Sequence, residues 1–361
     1  MTAVPEHSIS SHRTSRLPFG SHAAPAAADP RADDRRSRIT RHVCLAVGCF
    51  ALAAAVLLPL FVYPRLAVFP DDPQAAQILK ATGATMLMPD AKAPAGATLL
   101  RNVDLTVTNF ISEAPSGPSG DSVVWQIATR VDVNGKGLAN ARVEQASINR
   151  HTGKPTNCCG DRIVTSLEDT SGQVLHHSGY VAWPFNVQRH SYQIWDVNLQ
   201  RAKTASYLGE EKRDGLDTYK FRATVPTQKV GTMDLPGGLF GSKASNVTAD
   251  AIYADDQTYW IQPSTGDVIR LDDNITQQYT YGGKTLTAFQ ADMKGVKLGE
   301  DRLGPDRQGA VFLPWVRARA TLVLVPVGLI LIAIGAYLAL SRRRRTIQAP
   351  PPPAAPAQTE A

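Results

Sequence analysis

The chain has 361 residues, enough for about two domains of average size, and 43% of them are hydrophobic whereas only 19% are charged. The apolar residues are concentrated in two uncharged runs of 21 residues each, 43–63 and 320–340. A helix needs about 20 residues to cross a hydrocarbon core roughly 30 Å thick. Both runs are long enough to span a membrane, which excludes a plain cytosolic enzyme.

The net charge of +6 comes entirely from the two ends of the chain. Residues 1–42 carry seven arginines against four acids (+3), residues 64–318 carry 26 lysines and arginines against 27 acids (−1), and residues 319–361 carry five arginines against one glutamate (+4). By the positive-inside rule, both termini face the cytoplasm and the middle faces outside. The four arginines at 342–345 are therefore interpreted as a stop-transfer signal, and no nucleic-acid partner is predicted.

These features predict a bacterial plasma-membrane protein with five segments. The run 43–63 is too long and too far from the start of the chain for a secretory signal peptide, and no small-residue cleavage site follows it, so it is expected to stay as an anchor. The segments are a disordered cytoplasmic tail at 1–42, a transmembrane helix at 43–63, a β-rich extracytoplasmic domain at 64–318, a transmembrane helix at 320–340, and a basic then proline-rich cytoplasmic tail at 341–361.

The middle segment shows mainly the two-residue period of half-buried strands. Apolar and polar residues alternate in three stretches, 105–111, 122–133 and 219–225. Gly282-Gly283 lies between two further apolar segments, as at the turn of a β-hairpin. The expected fold is a mainly β (α+β) ectodomain, an antiparallel sheet or barrel, flanked by a transmembrane helix at each end.

Two local patterns stand apart from this alternation. Residues 71–88 have the apolar spacing of a short amphipathic helix, with an aspartate cap ahead of Pro73 and a stop at Pro89. Residues 146–155 and 259–269 both read as an apolar strand followed by Thr-Gly at a turn, 113 residues apart, which leaves a duplicated subdomain open. Thr-Gly hairpins are common, so coincidence is the simpler explanation.

Cys158 and Cys159 are the only cysteines of the middle segment, since Cys44 and Cys49 lie within the first apolar run. An oxidising exterior leaves three states open: a vicinal disulfide, intermolecular disulfides, or free thiols. Neighbouring Cα atoms are about 3.8 Å apart, closer than in most disulfides, so the vicinal bridge would be strained. We favour this bridge as a lock on its turn, with a redox switch as the second interpretation.

No pattern in the sequence indicates catalysis or a metal site. The chain lacks a nucleophile elbow, a zinc-protease helix motif and a phosphate-binding loop. The histidines and adjacent cysteines lack the separated spacing of structural zinc ligands. The acid pairs 255–256 and 272–273 lie next to predicted strands, where turn and edge acids are common. No catalytic residue, metal ligand or cofactor is therefore predicted.

Aromatic residues are unusually dense between 180 and 195. Such a segment either packs a core or lines an apolar cavity, and a core is the simpler interpretation. If the segment binds a ligand instead, the candidate ligand-binding residues are Trp183, Phe185, Tyr192 and Trp195.

Several motifs resemble an actinobacterial family labelled porin PorA, formerly a domain of unknown function. The motifs are Arg150-His151-Thr152-Gly153, the stretch from Trp183-Pro184-Phe185 to Tyr192 and Trp195-Asp196, Gly209-Glu210, Gly215-Leu216 with Tyr219-Lys220-Phe221, and Pro263-Ser264-Thr265-Gly266. The resemblance covers residues 43–341. It implies an envelope membrane protein with a porin label, and it carries over no catalytic residue.

The residues themselves favour a non-enzymatic binding role over a channel. A helical channel needs polar residues along its spans, yet both runs are almost wholly apolar. A β-rich ectodomain with a membrane helix at each end is similar in outline to class B scavenger receptors, which enclose a lipid tunnel. We therefore expect this domain to bind or transfer an apolar envelope component or to be a scaffold for envelope proteins. Membrane lipid is the expected partner, a channel-forming porin is the alternative, and oligomerisation is left open.

Small residues four positions apart occur in both apolar runs. The pairs are Ala51 with Ala55 and Gly335 with Ala339. Such pairs let two membrane helices approach closely, although alanine-rich helices contain them by chance as well.

Overall fold

A computed structural model describes residues 30–93, 95–118, 120–165 and 171–347. The chain forms two compact units, one made of Met1–Ala51 with Val327–Ala361 and the other of Leu52–Pro326. Most of the two predicted tails lies outside the described residues. The first helix nevertheless begins at Pro30, within the segment predicted as the N-terminal tail, and the last one continues to Ile347.

Both apolar runs are helical, and each helix contains a π-helical turn where a proline lies. Proline lacks the N–H that an α-helix needs, so the hydrogen-bond ladder is interrupted beside Pro59 and Pro314. By length and composition, the helices over Arg38–Leu66 and Asp301–Ser341 are able to cross a membrane. The helical elements are α1 (Pro30–Leu57), a π-helix (Leu58–Val62), α2 (Tyr63–Leu66), α3 (Glu300–Pro314), a second π-helix (Trp315–Arg319) and α4 (Ala320–Ile347).

Glycines lie where α1 and α4 contact each other in the first unit. A Cβ atom added to Gly48 would lie 2.9 Å from the carbonyl oxygen of Gly328, and one added to Gly335 would lie 2.7 Å from Cγ of Leu45. A larger residue at either glycine would force the helices apart, because backbone and branched side chains already occupy the space. Gly335 is one of the small residues noted in the sequence.

The second unit is built on a single antiparallel sheet of twelve strands. The sheet order is β6-β5-β4-β3-β2-β1-β12-β11-β10-β9-β8-β7. The chain thus starts at the centre, runs outward to one edge, restarts at the other edge and returns to the centre, where β12 pairs with β1. The strands are β1 (Ala75–Pro89), β2 (Ala97–Glu113), β3 (Ser122–Val133), β4 (Gly137–Asn149), β5 (Arg162–Val164), β6 (Gln173–Val174), β7 (Tyr192–Asp196), β8 (Arg201–Arg213), β9 (Leu216–Pro236), β10 (Asn246–Ile261), β11 (Val268–Tyr281) and β12 (Lys284–Gly295).

The mainly β prediction is confirmed, and so are its individual strands. The three alternating stretches lie in β2, β3 and β9. Gly282 and Gly283 form the turn between β11 and β12, and both have positive φ, 56° and 75°. This backbone is the one that a two-residue hairpin turn with two central glycines adopts most easily.

The predicted helix at 71–88 is wrong, because that stretch is mostly strand β1. Its buried residues are Leu79, Ala81, Ala84 and Met86, so the two-residue period breaks once in the middle. The break lies at Gly83, whose φ is +68° and beside which the pairing of β1 with β2 shifts register. Because of this bulge, the buried residues are spaced by two, three and two positions, and this mixed spacing resembles that of an amphipathic helix.

The sheet is strongly curled, and side chains fill the inside of the curl. Residues from the centre and from both flanks of the sheet share one apolar core. It includes Leu79, Leu105, Val133, Val225 and Tyr253. A flat sheet could not bring strands this far apart in its order into contact, so the curl is fixed by this core.

Candidate functional site

A cavity of about 340 Å³ lies beside the segment that follows the first apolar helix. Small-molecule sites have volumes of roughly 300–1,000 Å³, so this one is at the lower end of that range. Its walls come from stretches far apart in the chain, including the start of α3. The apolar side chains lining it include Phe69, Ile111, Trp125, Val181, Trp183 and Phe185.

Aromatic rings form one rigid wall of the cavity. The ring of Phe69 lies edge-on to Trp125, with centroids 5.6 Å apart, and tilted against Phe185 at 4.9 Å. The indole Nε1 of Trp125 donates a hydrogen bond to the carbonyl oxygen of Pro70 at 3.0 Å. Since that polar atom is already paired, this wall favours apolar groups over polar ones.

Two turns of the same construction hold the segment 181–187 that contributes part of this wall. In one, Asn149 Oδ1 accepts backbone N–H hydrogen bonds at 3.0 and 3.1 Å, and in the other Gln262 Oε1 accepts two at 2.6 and 2.9 Å. The similarity of 146–155 and 259–269 in sequence is thus matched by their hydrogen bonds. Each turn also follows the fourth strand of its half of the sheet, β4 or β10.

The glycine of each Thr-Gly pair allows the segment to approach. A Cβ atom on Gly153 would lie 2.4 Å from the carbonyl oxygen of Ala182, and one on Gly266 would lie 2.5 Å from that of Trp183. Both glycines have positive φ, +72° and +81°. Only glycine meets both demands without strain, so these turns fix the position of the cavity wall.

Two of the four residues predicted as ligand contacts line the cavity, Trp183 and Phe185. Tyr192 and Trp195 are not among the described lining residues. Tyr192 packs in an apolar core with Trp183, and their ring centroids are 5.4 Å apart. The ring of Trp195 contacts that of His177 instead. Phe69 and Trp125 were not predicted to line a site, because no local pattern in the sequence marks them as neighbours of the segment 181–187.

A buried histidine lies between β4, near one edge of the sheet, and β7, the strand at the other edge. The side chain of His177 is fully buried, with Nδ1 2.8 Å from Asp161 Oδ2 and Nε2 2.8 Å from Glu144 Oε1. The same Glu144 oxygen accepts a hydrogen bond from Trp195 Nε1 at 2.7 Å. Burial disfavours the charged ring, but the hydrogen-bonded carboxylates outweigh it and raise the pKa of His177 to about 9. At neutral pH the ring is therefore a cation that ties β4 to β7.

The turn that carries Asp161 also contains a vicinal disulfide. Cys158 and Cys159 are bonded to each other, with Cα atoms 3.7 Å apart. The side-chain amide of Asn157 exchanges hydrogen bonds with the backbone of His177 at 2.8 and 3.0 Å. This turn therefore holds the histidine from two sides.

A second ionic cluster lies inside the curl. Lys203 Nζ is 2.5 Å from Asp255 Oδ2 and 2.7 Å from Asp196 Oδ2, and all three side chains are almost fully buried. Burial, and then repulsion from Asp255, raise the pKa of Asp273 well above its usual range.

The prediction that the acid pairs 255–256 and 272–273 belong to turns or strand edges is wrong. Both pairs lie within strands, β10 and β11, and Asp255 and Asp273 point into the buried interior. Among the residues that the structure describes, no group of three or more histidines, cysteines or acids could hold a metal ion. Lys203 supplies the positive charge at this cluster instead.

A comparison with known proteins gives this fold a family. The family model for porin PorA matches residues 41–337. A protein named porin PorA from Corynebacterium amycolatum is 25% identical over 226 residues, which cover 54% of this chain and 58% of that protein. Another of that name from Corynebacterium resistens is 22% identical over 418 aligned positions, 85% of this chain and 98% of that protein. Because the family model matches most of the chain, including the whole sheet, the chain belongs to the porin PorA family.

Proposed function

We propose that this protein is a subunit of a channel in the cell-envelope membrane. The observation that carries the proposal is the family match over 41–337, a region that includes two helices of membrane-spanning length. The charge distribution supports an orientation with both termini in the cytoplasm and the sheet domain outside. A porin role also favours transport over catalysis.

The conducting path in this proposal lies between copies of the chain. The inside of the curled sheet holds the apolar core and the buried Lys203 cluster, so we do not place the path there. The apolar runs 43–63 and 320–340 carry almost no polar side chains. A water-filled path needs polar groups around it, and single helices of this composition cannot supply them. Assembly of several copies is therefore part of the proposed function.

Planar bilayer recordings test the proposal. Purified full-length protein should produce discrete current steps, and their frequency should rise more steeply than in proportion to protein concentration, because several copies form one path. Gly335→Leu, which separates the helices, should reduce the frequency of steps. Reconstituted, folded protein that produces no steps over a wide concentration range would refute the channel.

A second function, binding of an acyl chain from a membrane lipid, is favoured by the cavity. Phe69 in its wall follows the end of the first spanning helix at Leu66 by three residues, a distance of at most about 11 Å along an extended chain. Leu298 and Arg302, also in the lining, lie just before and just inside the start of α3, which leads to the second span. The cavity is therefore within reach of the bilayer surface, where acyl chains are the apolar groups available.

The size and lining of the cavity suit part of one such chain. Its volume of about 340 Å³ equals that of roughly eleven water molecules at about 30 Å³ each, or a similar number of methylenes. Each methylene buried contributes about 0.8 kcal/mol, so the aromatic wall offers several kcal/mol before the costs of binding. Arg302 and Asp267 both line the cavity, so its charged lining includes one residue of each sign.

Mass spectrometry of lipids that co-purify with the full-length protein tests this second function. Val181→Trp places a large ring in the cavity and should abolish the bound lipid. Leu208→Trp adds the same ring at a position that is 54% exposed and should leave the lipid unchanged. Lipid retained by folded Val181→Trp, or no specific lipid with the unaltered protein, would contradict binding in the cavity.

A further inference from the structure

The vicinal disulfide is placed where a reagent in solution can reach it. Cys158 is exposed and Cys159 is half-buried. The free cysteines of the described chain, Cys44 and Cys49, lie in the first apolar helix, so no other thiol of the sheet domain competes for this pair. The bond is therefore an isolated, accessible redox centre.

Hydrogen bonds to β4 fix the backbone around both sulfurs. The backbone N–H of Cys158 donates to Ser147 Oγ at 3.1 Å. Gln145 Nε2 donates to the carbonyl oxygens of Cys159 at 2.9 Å and Gly160 at 3.0 Å. These contacts do not involve sulfur, so breaking the disulfide does not by itself remove them. The two thiols stay adjacent, which makes re-oxidation an intramolecular step.

The bond does little as a cross-link. A disulfide stabilises a fold mainly by closing a loop in the unfolded chain, and the effect grows with the number of residues enclosed. Cys158 and Cys159 enclose none. Stapling distant parts of the sheet domain is therefore not its role.

The disulfide lies within the turn 157–161, which forms hydrogen bonds with His177. Asn157, immediately before the pair, pairs with the backbone of His177, and Asp161, just after it, accepts from the ring. The ring in turn contacts Glu144, which also binds Trp195 on β7. A change of geometry at the disulfide thus acts directly on the contact between β4 and β7.

We propose that Cys158–Cys159 is a reversible dithiol–disulfide site that sets how tightly the His177 contact joins β4 and β7. Its partner is a dithiol reductant of the compartment that the sheet domain faces, which the proposed orientation makes extracytoplasmic. A thiolate of the reductant attacks the exposed Cys158 sulfur, and Cys159 leaves as a thiolate and takes up a proton. The second thiol of the reductant then attacks the mixed disulfide, releasing Cys158 as a thiol and leaving the reductant as a disulfide.

Thiol labelling of the full chain tests this inference independently of conduction. In a Cys44→Ser/Cys49→Ser background, dithiothreitol followed by N-ethylmaleimide should add two labels without denaturant, and oxidation before labelling should prevent both. Hydrogen exchange of the backbone at 175–177 should become roughly tenfold faster on reduction, as expected when a charge-assisted hydrogen bond is weakened. Exchange in β11, far from the pair, is the internal control and should not change.

A Cys158→Ser/Cys159→Ser variant provides the second arm of the test. It should show the fast exchange of the reduced protein whether or not reductant is present. Two results would overturn the proposal: labelling that requires unfolding of the sheet, or labelling without any change in exchange at 175–177.

Discussion

His177→Gln removes a positive charge from between two buried carboxylates. In the folded chain Asp161 and Glu144 each lie 2.8 Å from a ring nitrogen, and the histidine side chain is fully buried. Glutamine keeps a similar polar size but leaves both carboxylates without a cation. Breaking a buried ion pair from one side typically costs about 3–5 kcal/mol, so we expect a large loss of stability.

The pKa of His177 gives an independent magnitude and a pH range. The ordinary value of 6.5 rises to about 9 on folding, and at about 1.36 kcal/mol for each pKa unit this difference is roughly 3 kcal/mol. Because the folded state binds the proton more tightly, the contribution is complete below about pH 6.5. It falls as the pH rises above that value and is lost above about pH 9.

Urea unfolding followed by far-ultraviolet circular dichroism measures this effect in detergent. Between about pH 6 and pH 10 the unaltered protein should lose about 3 kcal/mol more than His177→Gln does. His176→Gln, at the neighbouring exposed residue, should behave as the unaltered protein. Equal pH dependence in the unaltered protein and in His177→Gln would show that the ring is not held as a cation.

Three further substitutions test other parts of the structure. Lys203→Met leaves two buried carboxylates unneutralised and should lower the free energy of unfolding by about 3–5 kcal/mol, whereas Lys229→Met at an exposed ion pair should cost under about 1 kcal/mol in the same urea titration. Gly153→Ala should lower the thermal midpoint well below that of Gly135→Ala, since both have positive φ but only the first would meet a backbone oxygen. Gly335→Leu should weaken disulfide crosslinking between cysteines introduced in the two apolar helices, and an unchanged crosslinking pattern would contradict the packing described.

Local patterns were sufficient to predict most of the sheet. In the first half of β9 the buried and exposed residues alternate largely as the sequence does, because one face of the strand meets the core, whereas β3 begins with four consecutive buried residues, 122–125. β1 was misjudged because one glycine in positive φ shifts its period, and a bulge has no fixed signature in a single sequence. The order of the strands was beyond prediction, since pairing of β1 with β12 joins segments more than 200 residues apart.

The site was predictable only where its residues are consecutive. The density of aromatic residues led to Trp183 and Phe185, which line the cavity. The partners of His177 come from two other stretches, and the curl of the sheet rather than any spacing brings them together. The sequence predicts a turn or strand-edge position for Asp255, because the lysine that binds it, Lys203, is 52 residues away in the chain.

The pairing of the first and last strands at the centre of the sheet divides the chain into two nearly equal parts, each with its own apolar helix and six consecutive strands. A cut in the exposed stretch 188–191 would therefore leave every neighbouring strand pair within one fragment except β1 with β12, which would pair across the two fragments. Separately expressed fragments should associate through that ladder of hydrogen bonds, the shared apolar core and the hydrogen bond between Glu144 and Trp195. The protein thus offers a natural split point for complementation, at which each fragment carries its own means of reaching the bilayer.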